Sequence, residues 1–194
     1  MKPKKKINDE IIELAADLFK KFGFKKTTID DIALAAHKGK SSLYYYFKNK
    51  EDIFKAVVDK EAATLEKELT AIIEQSGLSP QEKLKQYVMH RMTRLKELAN
   101  YYEALKNEYL SHYEFIEEIR SQHDRTEIKL IRQILDEGLQ KGVFDIKDTH
   151  TAAFAISIAM KGLEIPMFLK NELEHSEEKI NFLLEILFKG IEKR

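Results

Sequence analysis

Apolar residues recur at helical spacing along the whole chain, and nowhere alternate with polar ones over the length of a strand. Ile7, Ile11, Leu14, Leu18 and Phe22 trace the stripe of a first amphipathic helix. Thr28 with Asp31 three residues on is a capping box, and it starts a second helix that runs to about Ala36. Ile29, Ile32, Ala33 and Ala36 fall on one face of it. A third, shorter helix begins near Lys40. Asn49 and Asp52 repeat the capping signature after Phe47 and open a long fourth helix, with Ile53, Val57, Leu65, Leu69 and Ile72 inside and a break at Gly77.

The pattern continues without a linker, an internal repeat or a low-complexity segment. Ser79, Pro80 and Glu82 combine a capping box with proline at the first helical position, and Leu84, Tyr87, Val88, Met92 and Leu95 form the stripe that follows. A short tyrosine-rich helix is predicted around Tyr101 to Tyr109. A long one then runs from about Glu114 to Lys141, with Ile119, Ile128, Ile131 and Leu135 inside and Gly138 and Gly142 marking its end. Asp148 begins a helix that is apolar around most of its circumference, through Ala152, Phe154, Ile156, Ala159 and Leu163. Ser176 opens the last helix, where Glu177 and Glu178 suit the positive end of the helix dipole. Its Ile180, Leu183, Leu184, Leu187, Phe188 and Ile191 make a seam at heptad-like spacing. The fold class predicted is all-α, with about nine helices.

The second and third helices, with a tight turn at His37 to Gly39, read as a helix-turn-helix. Its second helix carries Lys40, Ser41, Ser42, Tyr44 and Tyr45, all hydrogen-bond donors. Such a helix enters a DNA major groove. Charge agrees with this reading. The net charge is zero over 194 residues, yet residues 1–50 hold twelve lysines against six acids, so +6 sits at one end and −6 on the rest. A basic domain on an acidic body is the footprint of nucleic-acid binding by one end. With no cysteine, disulfides, thiolate metal sites and cysteine catalysis are excluded. The longest nearly apolar run, Ala152 to Met160, is too short to span a bilayer, and no apolar segment follows the basic start. A cytoplasmic protein with no membrane attachment is expected.

This segment resembles the DNA-binding domain of the tetracycline-repressor (TetR) family of bacterial transcription regulators. The resemblance rests on Thr27-Thr28, Ile32-Ala33, Ala36, Leu43-Tyr44, Tyr46-Phe47 and Lys50-Glu51, and on Ala15, Leu18-Phe19 and Gly23-Phe24 before them. About 45 residues match in register. Beyond them the chain is similar to the family in length, in helical layout and in the Gly138 to Phe144 turn. One departure stands out. Family members place Gly, an apolar residue and then Ser or Thr in the turn where this chain has His37, Lys38 and Gly39. His tolerates the positive φ required there, and Gly39 is an acceptable, weaker N-cap. Lys38 cannot bury its ammonium and is expected to snorkel outward, toward phosphate.

The resemblance implies a homodimeric DNA-binding regulator, a repressor released from a palindromic operator by a small-molecule effector. Residues 1–50 would bind double-stranded DNA and residues 51–194 would hold effector and dimer contacts, with the boundary inside the helix that begins at Lys50. Carried over by motif, Thr28, Tyr44, Tyr46 and Lys50 hold phosphates, while Lys40, Ser41, Ser42 and Tyr45 face base edges. Tyr87, Met92, Tyr101, Tyr109 and Phe154 are candidate walls of an effector cavity, with His90 and Asn107 as polar handles; each also reads as ordinary core. The dimer contact is expected from the last two helices, through Ile156, Met160, Leu163, Ile180, Leu183, Leu184, Leu187 and Phe188.

Two further readings stay open. The C-terminal body could engage a protein partner instead of a small ligand. An enzyme is disfavoured, because there is no G-x-S-x-G, P-loop, H-E-x-x-H or glycine-rich dinucleotide fingerprint, and no cofactor is implied. Glu108 and His112 have a spacing compatible with metal ligation, yet read more readily as a surface or rim pair, and no metal site is assigned. Lys161 and Glu164 suit either a ligand or the edge of a dimer contact.

Overall fold

The computed structural model describes residues 4–98, 114–164 and 176–192. These form eight α-helices: α1 (Lys4–Phe22), α2 (Ile29–Ala35), α3 (Lys40–Tyr44), α4 (Lys50–Ile73), α5 (Pro80–Glu97), α6 (Glu114–Gln140), α7 (Thr149–Glu164) and α8 (Ser176–Ile191). Among the described residues there is no strand, only an isolated bridge between Phe144 and Glu192. The helix predicted around Tyr101 to Tyr109 lies outside the described residues, as do Asn107, Glu108 and His112. The chain divides into two units, residues 1–63 with 98–120 and residues 64–97 with 121–194, so that one division falls within α4 and another within α6.

In the N-terminal unit, Ile11, Ala15 and Phe19 of α1 close on Ile32 and Ala33 of α2, Leu43 of α3, and Ile53, Phe54, Val57 and Val58 of α4. Phe19, Phe24 and Phe54 form an aromatic centre with ring centroids 4.7–5.8 Å apart, the Phe19–Phe54 pair edge-on. The buried side of α1 is rotated from the predicted stripe. Leu14 and Leu18 are only half-buried and Phe22 is 50% exposed, because the rows through Ile11, Ala15 and Phe19 face the partners. The capping box forms as predicted: Asp31 Oδ2 accepts from the Thr28 hydroxyl at 2.7 Å and the Thr28 backbone N–H at 2.8 Å. The Thr28 hydroxyl beside it holds the Asp31 carboxyl below the usual aspartate range.

The C-terminal unit has its own core, with Leu84, Tyr87, Val88 and Met92 of α5, Ile131, Ile134 and Leu135 of α6, Ala153, Ile156 and Met160 of α7, and Ile180 and Leu184 of α8. The predicted box at Ser79 and Glu82 caps α5, with Glu82 accepting from the Ser79 hydroxyl at 2.7 Å. Ion pairs cross-link the helices. Glu68 of α4 accepts from Arg94 at 2.8 and 2.9 Å and pairs with His90 at 2.8 Å, both on α5. Arg94 is the larger cause that holds the Glu68 carboxyl below the usual glutamate range. Lys83 of α5 reaches Glu137 of α6 at 2.8 Å, and buried Arg91 grips Glu127 of α6 through Nε and Nη2. Ser157 of α7 donates to the same Glu127 at 3.0 Å.

Gly138 does not end α6; it lies within it, under a ring. Phe144, 1% exposed, folds back so closely that a Cβ at Gly138 would overlap its ring. The turn is held by N–H bonds from Val143 and Phe144 to the Gly138 carbonyl at 2.9 and 3.1 Å, with Gly142 at φ +68°. Asp145 N–H then donates to the Ile191 carbonyl at 2.7 Å, tying the turn to the end of α8. Gly138→Ala is expected to cost about 1–3 kcal/mol, the usual range for overpacking, despite alanine's better helix propensity. Urea denaturation checks it: Gly138→Ala combined with Phe144→Leu should recover part of the loss.

Candidate functional site

The geometry of the helix-turn-helix follows from three local decisions. Ala36 ends α2 in right-handed conformation and His37 takes φ +51°, so the chain reverses while Lys38 N–H donates to the Ala33 carbonyl at 2.9 Å. Gly39, extended at φ −71°, caps α3 through its carbonyl, which accepts from Ser42 N–H at 2.9 Å, without any side-chain cap. Leu43, 1% exposed, is the buried residue of this five-residue helix and plugs it into the core. Once Leu43 points inward, helical spacing turns Ser41, Ser42 and Tyr44 away from it, while Lys40 stands at the exposed start of the helix.

Those residues are exposed, Tyr44 at 48% and Tyr45, just past the helix, at 68%. Tyr46 is half-buried, packed on the core, with its ring edge-on to Tyr45 at a centroid distance of 5.1 Å. Lys38 is half-buried at the turn. Thr28 is exposed, with its hydroxyl engaged by Asp31. The Lys40 ammonium pairs with Asp30 of α2 at 2.9 Å.

Lys50 differs from the expected phosphate ligand. Its ammonium donates to the carbonyls of Phe24 at 2.7 Å and Thr27 at 3.0 Å, and sits 4.3 Å above the Phe24 ring. Two of its three N–H groups are therefore spent on fastening the start of α4 to the α1–α2 connection, which leaves one for DNA. Thr27, 1% exposed, completes this clamp with its hydroxyl donating to the Gly23 carbonyl at 2.9 Å. Sequence reasoning missed both roles, since the Lys50 contacts span 26 and 23 residues.

Four of the candidate cavity residues are described, all in the C-terminal unit. Tyr87 and Met92 are fully buried in the core, His90 is engaged by Glu68, and Phe154 is 51% exposed on the outer side of α7. Tyr101, Asn107 and Tyr109 lie outside the described residues. An apolar pocket of about 320 Å³, half open to solvent, is present elsewhere, lined by buried Val88, Leu135, Ile156, Met160, Ile180 and Leu184 and by exposed Ala155, Ala159 and Leu183.

Most of the expected dimer residues thus line an intrachain cavity. Ile156, Met160, Ile180 and Leu184 are 3–6% exposed in a single chain, where α5 packs against both α7 and α8; Leu163, Leu187 and Phe188 are half-buried. What remains uncovered is a face of Phe154, Ile158, Phe182, Leu183 and Ile186, each 42–62% exposed. Lys161 pairs with Asp124 of α6 at 2.5 Å, an intrachain link rather than a ligand contact. Among the described residues no group of three or more acidic or histidine side chains is placed to hold a metal, and no helix is long and apolar enough to cross a membrane.

A buried leucine behind a short helix whose outer residues are hydroxyls, aromatic phenols and a lysine defines a helix-turn-helix DNA-binding regulator. Residues 11–57 match the sequence model of bacterial regulatory proteins of the tetR family. Over 189 residues the chain is 26% identical to the HTH-type transcriptional regulator YhgD of Bacillus subtilis, covering 93% of this chain and 94% of that one. The fold is similar to that of a transcriptional regulator from Cytophaga hutchinsonii, at TM-score 0.82 and 24% identity over 95% of this chain and 98% of the other. It is also similar to SmeT, the repressor of a Stenotrophomonas maltophilia multidrug efflux pump, solved in complex with triclosan, at TM-score 0.77 and 19% identity over 96% and 92% of the two chains. Residues 11–57 therefore carry the sequence pattern of tetR-family DNA-binding segments, and over its length the chain is similar to transcriptional regulators.

Proposed function

We propose that the protein is a homodimeric repressor that holds a palindromic operator through residues 1–50 and is released by a small, largely apolar effector bound in the C-terminal body. The observation that carries the DNA reading is α3 itself. A single buried anchor, Leu43, leaves Lys40, Ser41, Ser42, Tyr44 and Tyr45 exposed around it. Lys40 donates to guanine O6 and N7, and the serine hydroxyls and Tyr45 supply adaptable partners for neighbouring base edges. Tyr44, Tyr46, Thr28, Lys38 and the remaining N–H of Lys50 hold phosphates, which fix register without reading sequence.

The exposed face of α7 and α8 supports dimerisation. Two copies related by a two-fold axis would bury Phe154, Ile158, Phe182, Leu183 and Ile186 in a four-helix contact and set two α3 helices about 34–36 Å apart, one turn of DNA. The effector reading is supported by the apolar cavity beneath that face, whose volume of about 320 Å³ lies within the range of small-molecule sites. A ligand there presses on Ile156, Met160, Ile180 and Leu184 of the two dimer helices. It releases DNA by favouring a conformation in which the α3 helices are wrongly spaced. Such coupling is worth about 1–3 kcal/mol.

Titration of variants against a selected operator tests the base-reading assignment. Lys40→Ala should cost about 1–3 kcal/mol on the operator and relax the preference at one base pair. Tyr44→Phe should weaken all sequences alike and leave the preference intact. Equal weakening by both variants at every sequence would remove Lys40 from base reading.

A further inference from the structure

Resting on that DNA-binding reading, one contact at the start of α3 has a consequence for specificity. Lys40 is the first residue of α3, on an N-cap glycine that offers no side chain to hold it. A free lysine at a DNA-facing surface is a mobile point charge and settles on any phosphate within reach. Here it is not free. The Asp30 carboxylate, ten residues back on α2, accepts from the Lys40 ammonium at 2.9 Å, and the two side chains are 66% and 51% exposed. Asp30 is not needed for the helix start, because Thr28 and Asp31 form the capping box by themselves. A carboxylate on this surface repels phosphate, so its presence weakens binding to DNA of any sequence.

We propose that Asp30 is a positioning residue for operator recognition, holding the Lys40 ammonium away from the phosphates and presenting it to a single guanine. The exposure of the pair suits this task. Solvent-exposed ion pairs are weak, so the ammonium can exchange its carboxylate for the O6 and N7 of guanine when the geometry fits. A phosphate brought to the same point is repelled by the Asp30 carboxylate, whereas the neutral edge of guanine is not. The consequence is a larger gap between operator and other DNA at the expense of overall affinity.

The test compares the full-length protein with Asp30→Asn, Lys40→Ala and the double variant, each titrated at several salt concentrations on the operator, on the operator changed at the Lys40 base pair, and on unrelated DNA. Asp30→Asn should tighten binding to unrelated DNA, steepen its salt dependence by roughly one unit, and reduce the preference at that base pair by about three- to tenfold. With Lys40→Ala already in place, Asp30→Asn should change neither the salt slope nor the preference. If Asp30→Asn strengthens binding to all three DNAs alike with the preference unchanged, Asp30 is only a surface charge and the proposal is overturned. If it lowers thermal stability while slope and preference stay fixed, its role is that of an acid in the first turn of α2, and the proposal is again overturned. Lys40→Ala relaxing one position while Asp30→Asn does not would defeat this inference alone, whereas wild-type protein with no preferred sequence would defeat the DNA reading beneath it.

Discussion

Replacing Arg91 by alanine is expected to destabilise the C-terminal unit by about 3–5 kcal/mol, the usual cost of stripping one partner from a buried ion pair. Arg91 is 4% exposed, and its guanidinium donates to both oxygens of Glu127, whose side chain is 12% exposed. Without it Glu127 keeps only the Ser157 hydroxyl among these partners, one bond for a nearly buried negative charge. The cost comes from that stranded charge rather than from any large net strength of the pair. The double replacement Arg91→Met with Glu127→Leu should therefore be much less destabilised than Arg91→Ala, since it removes both charges and keeps apolar volume. Urea denaturation of the three proteins decides it. A double variant as unstable as the single one would mean that the pair itself, not the desolvated carboxylate, holds α5 to α6.

Phe182→Glu or Ile158→Glu is expected to give soluble, folded monomers that no longer recognise the operator. These side chains are 62% and 48% exposed, so a carboxylate there meets water in the monomer and an apolar surface only in the dimer. A monomer engages one half-site and forfeits the second. Its operator affinity should fall by about a thousandfold or more, toward non-specific binding. Leu184→Glu is a poor probe, because Leu184 is 5% exposed within its own chain and a buried carboxylate would unfold the unit instead of separating it. Analytical sedimentation with circular dichroism distinguishes the two effects. Wild-type protein that sediments as a monomer at micromolar concentration would end the four-helix proposal.

Features encoded within one turn of helix could be read directly from the residues. The capping boxes at Thr28–Asp31 and Ser79–Glu82 form with the expected partners, and His37 takes the positive φ that the tight turn demands. Periodicity finds helices for the same reason, since every neighbour that matters lies three or four residues away. It does not say which side of a helix its partners cover. The predicted α1 stripe therefore lies one row off the buried side, and most of the α7 and α8 residues expected at a dimer contact are turned inward. In the folded unit Ile156, Met160, Ile180 and Leu184 face inward, and Phe154, Ile158, Phe182 and Ile186 face out. Both rows are apolar, so hydrophobicity cannot rank them. Pairings across the chain were out of reach as well. Lys50 on the Phe24 and Thr27 carbonyls, Arg91 on Glu127 and Lys40 on Asp30 join residues 10–36 positions apart, and no local spacing announces them. Gly138 reads as a helix stop until Phe144 is seen lying on it.

If two copies of this chain read two halves of one operator, selection from a random duplex library will show it. A palindrome should be enriched whose half-sites are centred about one helical turn apart, or a whole multiple of it. Each half should contain one guanine position that Lys40→Ala relaxes. Recovery of no palindrome, with binding that depends on salt and not on sequence, would contradict it.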